Sequence, residues 1–279
     1  MPESPEVQAF AEFVAERAVG RAIASIEIAD FRAYKTRSTD PAVLAGAIVT
    51  AVRRHGKYID VVTDHGHLVV SFGRHGWGVW HDVATDESVM PTVVAVLSFD
   101  GGGVLELTDA GSFRSAALWI VAESSDVAGI AKLGPDPADP VFSQADVDAV
   151  TVGRRKQLKA VLQEQESFAG IGNAYSDEIL FAARLAPTVP AAQLDGDERS
   201  RLYEAMTAQI RGAIAARRGI PIADLKAAKV ASMRVHGRAG QTCPRCGGEI
   251  VDFTFSGTTA QYCPVCQTAG PGPEPLIPA

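Results

Sequence analysis

Cysteine is missing from the first 242 residues; the four in the chain stand at positions 243, 246, 263 and 266. No disulfide can brace the remainder, so it has to bury an apolar core of its own. Long hydrophobic runs are missing too. Nothing approaches the roughly 18–20 apolar residues that span a bilayer, and the opening PESPEVQAFAEFV puts acids where a secretory leader carries bases. A cytoplasmic protein without a membrane partner is expected. There is no basic excess either: 26 Lys and Arg stand against 33 Asp and Glu, a net charge of −7. That argues against a nucleic-acid partner, because phosphate binding needs a basic footprint. Bases do cluster locally, in RRHGK (Arg53 to Lys57), GRRKQLK (Arg154 to Lys159), AARRG and MRVHGR (Arg234 to Arg238), so a basic face on an acidic chain stays open, as does plain solvated surface charge.

The 279 residues, 47% of them hydrophobic and 21% charged, suit an ordinary globular protein of about two domains. Cys243 and Cys246 form one C-x2-C pair, Cys263 and Cys266 another, with sixteen residues between. This spacing fits a zinc ribbon, in which two thiolate knuckles close a tetrahedron around one structural ion. The segment between them, with IVDFTF and a turn at SGTT, predicts a β-hairpin.

Val7, Phe10, Ala11, Val14 and Ala18 recur at helical spacing and predict a helix over 5–18, stopping near Gly20. AIASIEIAD, KYIDVVTD, GHLVVSFG, TVVAVLSFD and GVLELTD then read as short strands. No helical pattern separates them, so an antiparallel sandwich or barrel is expected. KLGPDPADPVFS, with Pro135, Pro137 and Pro140, reads as a linker. Helical patterns follow in QADVDAVTVG, KQLKAVLQEQESF, NAYSDEILFAARL and DERSRLYEAMTAQIRGAIAARRG. The chain is read as an α+β protein: a β-domain over 1–132, a linker over 133–140, a helical domain over 141–230, a zinc ribbon over 231–270 and a disordered proline-rich tail over 271–279.

Two short stretches carry chemistry. In MPESPE, removal of Met1 exposes the secondary amine of Pro2, a potential nucleophile; proline also simply suits a helix start. In FAGIGNAYSDEILF a tight turn on Gly170 and Gly172 delivers backbone amides to a helix N-terminus at Asn173, which suits an anion as well as a plain helical hairpin.

Pro2-Glu3, RRHGKY, LGPDP, AGIGNAYSDEILF, VHGRAGQTCPRCGGEI and YCPVCQ, in this order along nearly the whole chain, resemble the formamidopyrimidine-DNA glycosylase and endonuclease VIII family of base-excision repair enzymes. The resemblance implies an N-terminal antiparallel β-sandwich flanked by helices, a helix-two-turn-helix domain and a zinc ribbon. It implies a monomer acting on damaged double-stranded DNA, with Pro2 as nucleophile, Glu3 as acid to the sugar ring oxygen, Glu6 in support and Lys57 at the lesion. Asn173 with the amides around Gly172 would hold phosphate, assisted by Lys159, with Arg238 also on DNA. Cys243, Cys246, Cys263 and Cys266 would hold one structural zinc.

The DNA-reading end departs from the family pattern. SFGRHGW places Arg74 where family members insert a methionine, AGSFR keeps Phe113 but has Ser112 for an arginine, and GTTAQYC has Thr258 for the hairpin arginine. These departures leave open a catalytically weak, damage-binding member of the family; a zinc-ribbon protein that docks to another protein would leave Pro2, Glu3 and Lys57 without a role. The twenty residues GIPIADLKAAKVASMRVHGR look short beside the base-capping loop of purine-specific members, which leans toward oxidised pyrimidines or ring-opened bases.

Overall fold

The computed structural model describes residues 1–82, 92–255 and 257–267, with the backbone alone at Phe255 and Thr258; the expected tail lies outside these. The chain forms two compact units. The first is Met1–Lys132 with Arg217–Leu225, and the second is Leu133–Ala216 with the chain from Lys226 onward.

The first unit opens with α1 (Ser4–Ala18), one residue earlier than the periodicity predicts. The reason is local. Glu3 occupies the N-cap and exchanges hydrogen bonds with Glu6 in a capping box, the Glu3 amide donating to Glu6 Oε2 at 3.1 Å. Strands β1 (Ile23–Ile28), β2 (Val49–His55), β3 (Tyr58–Thr63), β4 (Gly66–Ser71), β5 (Gly76–His81), β6 (Val93–Phe99), β7 (Val104–Asp109) and β8 (Ala117–Val121) follow. They make two four-stranded sheets in the orders β1-β6-β7-β5 and β2-β3-β4-β8, with antiparallel neighbours throughout. Residues of both sheets and of α1 enter one core, among them Val7, Phe10, Val14, Leu68, Leu97 and Leu118. Phe10 meets Phe72 and Trp77 edge-on at 5.0 and 5.3 Å, geometry that adds about 1 kcal/mol per pair beyond the area buried. A short helix, α2 (Ala128–Ala131), ends this part of the chain.

Sequence periodicity misses β2, β5 and β8. Arg53 and Arg54 interrupt β2, and β5 reads GWGVWH, rich in the glycine that usually breaks strands.

The second unit holds α3 (Gln144–Thr151), α4 (Leu158–Gln163), α5 (Asn173–Ala183), most of α6 (Gly196–Arg217) and of α7 (Leu225–Ser232), and the hairpin β9 (Val251–Phe255) and β10 (Thr258–Tyr262). Leu158, Leu162, Phe168, Ile179, Leu202 and Met206 lie in its core. The segment read as a linker is folded into this unit: the Gly134 amide donates to Gln165 O, Ala169 N to Pro135 O, and Arg211 Nε to Pro137 O. Between α4 and α5 the Gln165 side chain braces the double turn, accepting from Gly170 N at 2.9 Å and donating to Ile171 O at 2.8 Å.

The stretch 219–238, read above as a short connecting loop, contains α7, with Leu225, Met233 and Val235 buried. Much of it is therefore a folded element rather than an open loop.

Candidate active site and nucleic-acid interface

Pro2 is half-buried beside the start of α1, and Glu3 and Glu6 are buried there. The capping box restrains both carboxylates, and Arg217 Nε lies 3.6 Å from Glu6 Oε1 with both side chains buried. Glu3 is thus the helix cap, and its buried carboxyl lies next to Pro2 in the chain. Arg217, which sequence alone placed only in a basic cluster, is a supporting residue. Nothing local in the sequence pairs it with Glu6, 211 positions away.

Lys57 occupies the two-residue turn between β2 and β3. Gly56 precedes it at φ 55°, a conformation that favours glycine. Arg54 fastens this turn to α1: its guanidinium donates to Gly56 O at 2.8 Å, to Gln8 Oε1 at 2.9 Å and to Ser4 Oγ at 3.3 Å. One arginine therefore sets the turn bearing Lys57 against the helix that starts next to Pro2.

Arg74 is exposed after β4, and Phe113 stands 88% exposed between β7 and β8. The structure brings their loops together. The Arg74 amide donates to Ser115 Oγ at 2.8 Å, and a Cβ on Gly73 would stand 2.3 Å from Ser115 O. Asp109 organises the second loop, its carboxylate accepting from the amides of Gly111, Ser115 and Ala116 at 2.8, 2.6 and 2.8 Å. Burial alone would push this carboxyl up, but those amides and the Ser115 hydroxyl outweigh it and hold the group below the ordinary carboxylate range.

A folded-state pKa lowered in this way contributes stability above the unfolded value, near 4, that is lost as pH falls through the folded one. We expect the protection of amides in residues 110–116, taken relative to intrinsic exchange at each pH, to fall selectively as pH drops below about 4. Asp109→Ala should reproduce that loosening at neutral pH, at a cost on the order of 2 kcal/mol. Exchange measured by mass spectrometry, unchanged in the variant, would refute the role given to Asp109.

In the second unit, α5 begins at Asn173 with Gly172 as its N-cap. Asn173 Nδ2 donates to Thr259 O of β10 at 2.9 Å, and Gln163 Nε2 donates to Asn173 Oδ1 at 3.1 Å. Asn173 therefore joins the helix start to the ribbon hairpin. Lys159, expected to assist on phosphate, does not face solvent: its ammonium is fully buried and donates to Asp177 Oδ1 at 2.6 Å, Ser176 Oγ at 2.8 Å and Asn173 O at 3.2 Å. The other oxygen of Asp177 pairs with His236 Nδ1 at 2.7 Å. Lys159 is a structural cation of α4 and α5, and removing either partner of such a pair costs about 3–5 kcal/mol.

Arg238 has another task as well. It donates to Val230 O and Met233 O at 3.3 Å, satisfying carbonyls at the end of α7. Other bases of the sequence clusters are paired with acids, Arg154 and Lys156 with Glu164, Arg218 with Glu12 and Arg234 with Glu178. Clustering in sequence thus overstates the basic surface. The side chain of Thr258 lies outside the described residues.

The sulfurs of Cys243, Cys246, Cys263 and Cys266 all lie within 4.8 Å of one another, with Cys243 to Cys266 at 3.8 Å and Cys246 to Cys263 at 3.5 Å. A tetrahedron with metal–sulfur bonds of about 2.3 Å has edges of roughly 3.8 Å, so the four thiolates fit one structural zinc.

A β-sandwich that opens on a capped helix, a helix-two-turn-helix unit and a four-thiolate ribbon together make the architecture of a zinc-bearing DNA glycosylase. Comparison with known proteins agrees. Residues 1–116 match the formamidopyrimidine-DNA glycosylase N-terminal domain, residues 133–223 the H2TH domain of the same enzymes and residues 240–269 the zinc finger found in FPG and IleRS. The formamidopyrimidine-DNA glycosylase of Moorella thermoacetica is 35% identical over 258 residues, covering 88% of this chain and 92% of that protein. That of Geobacillus kaustophilus is 31% identical, covering 96% and 100%. The Lactococcus lactis enzyme, solved non-covalently bound to DNA containing an AP site, superposes with a TM-score of 0.84 at 25% identity, covering 96% of this chain and all of that one. The chain belongs to the formamidopyrimidine-DNA glycosylase family. No helix among the described residues is long and apolar enough to cross a membrane.

Proposed function

We propose that the protein, as a monomer, excises oxidised, ring-opened bases from duplex DNA and then cleaves the strand, with Pro2 as covalent catalyst. The observation that carries this reading is the start of α1, where Glu3 and Glu6 are buried and restrained next to Pro2. An unperturbed terminal amine titrates near pH 8, so an appreciable fraction is neutral at physiological pH. Its lone pair forms a bond to C1′ as the C1′–N bond to the base breaks, and the base leaves with that electron pair and takes up a proton. The nitrogen then loses its own proton, and the C1′–O4′ bond opens with Glu3 protonating O4′, leaving an iminium. Loss of a C2′ proton and departure of the 3′ oxygen cleave the strand, and water releases Pro2. Lys57 would stand at the lesion, Asn173 and the N-terminus of α5 on flanking phosphate, and Arg74 with Phe113 in the gap left by the flipped base.

Ring-opened purines are favoured because the relatives bear that name, and one structural neighbour, again from Lactococcus lactis, was solved with DNA containing FAPY-dG. Single-turnover assays over a panel of single-lesion duplexes test this. Ring-opened purine should be excised fastest. Glu3→Gln should bind the same duplex within about threefold yet lose strand cleavage by on the order of a hundredfold or more, since the cap's geometry survives and the proton that opens the sugar ring does not. Faster excision of oxidised pyrimidines would overturn the substrate assignment; a fully active Glu3→Gln would overturn the mechanism.

A further inference from the structure

The turn that presents Lys57 is gripped from two sides, and the second grip lies outside the machinery described so far. Side chains alternate across β2 and β3, so Arg54 and Ile59 face the sandwich core while His55, Tyr58 and Asp60 face the other way. On that outer face Asp60 is fully buried, and its two oxygens are divided between two imidazoles: His55 Nε2 lies 3.1 Å from Oδ2, and His67 Nδ1 2.8 Å from Oδ1. The far nitrogen of His67 is 3.7 Å from Glu123 Oε2. A carboxylate this deeply placed requires partners, and here the partners come from different strands: His55 from the residue just before the turn, His67 from β4.

We infer that His55 and Asp60 are positioning residues for Lys57. The His55–Asp60 bond bridges the last residue of β2 to β3 across the Gly56-Lys57 turn. Arg54 bolts the same turn to α1 from the inner face, and His67 anchors Asp60 to the neighbouring strand. The turn is then fixed on both faces, and the Lys57 side chain starts from a backbone that cannot pivot about the strand axis. Displacement of a reacting group by about 1 Å can cost on the order of a hundredfold in rate, which makes such a clamp consequential for a residue placed at the lesion. The inference rests on the reading of Lys57 given above.

The test is a double-mutant cycle on the full, zinc-loaded chain. It uses single-turnover excision from a ring-opened-purine duplex, with binding to a duplex carrying a stable abasic analogue measured in parallel. His55→Phe keeps a ring and, at a partly exposed position, leaves the fold intact even if Asp60→Asn does not. It should slow excision by about ten- to a hundredfold with affinity changed less than threefold. His55→Gln, which returns a donor near the place of Nε2, should recover most of the rate. His55→Phe combined with Lys57→Ala should be no slower than Lys57→Ala alone, because both changes remove one interaction. Multiplying effects in the double variant, or a wild-type rate in His55→Phe beside a slow Lys57→Ala, would overturn the positioning role and leave Lys57 standing. A wild-type rate in Lys57→Ala would overturn the reading of Lys57 and this inference with it.

Discussion

Protein that retains Met1, or carries a tag ahead of Pro2, is expected to lose base removal and strand cleavage by on the order of a thousandfold or more while binding damaged duplex within a few-fold of the trimmed form. In the tagged chain the proline nitrogen is an amide, its lone pair delocalised into the preceding carbonyl, so it cannot form the covalent intermediate that divides the reaction into easier steps. Binding should survive because the groups assigned to DNA, from Arg74 and Phe113 to Asn173, are remote from that bond in sequence and are held by their own loops and helices. Met1 is about half exposed, at 49%, which leaves it open to removal after synthesis. Mass spectrometry of each preparation should be paired with single-turnover rates. Wild-type turnover from protein shown to keep Met1 would remove Pro2 from the mechanism.

The second large effect concerns the metal. The ribbon has little core of its own: Val235, Cys243, Ile250 and Cys263 are buried around Phe181, and two of these are zinc ligands. A patch of that size cannot order some thirty residues unaided, whereas a four-thiolate zinc contributes an apparent 10–16 kcal/mol or so. Chelation, or Cys263→Ser, should therefore unfold the chain from about Arg234 to Gln267. The bond from Asn173 to Thr259 goes with it, and DNA affinity falls by about a hundredfold. The first unit, whose core lies between its own sheets, should still melt cooperatively. Hydrogen exchange mapped along the chain would show this, and metal-free protein with undiminished DNA affinity would contradict it.

What could be read from the sequence follows the range of the interactions involved. The start of α1, the turn before α5 and the four cysteines announce themselves within a few residues, since capping, turn and metal-knuckle chemistry are local. Strand β2 could not be read so, because two adjacent arginines break its apolar pattern, and the groups on α1 that hold Arg54 lie some fifty positions away. Lys159 looked like a phosphate ligand because its partner Asp177 is eighteen positions on and faces it only once α4 and α5 pack. The structural task of Arg238 was invisible for a similar reason, its acceptors being the carbonyls of Val230 and Met233 at the end of a helix that the sequence pattern did not show. Asp60 gave no sign of itself: an acid within YIDVVT reads as an outward-facing strand residue until His55 and His67 are seen on either side of it.

The most direct test of the central claim is borohydride reduction of the trimmed protein on a duplex with a single abasic site. A stable protein–DNA adduct should form, and its cross-linked peptide should begin at Pro2. No adduct, or one attached at a lysine while Pro2 remains unmodified, would contradict the account.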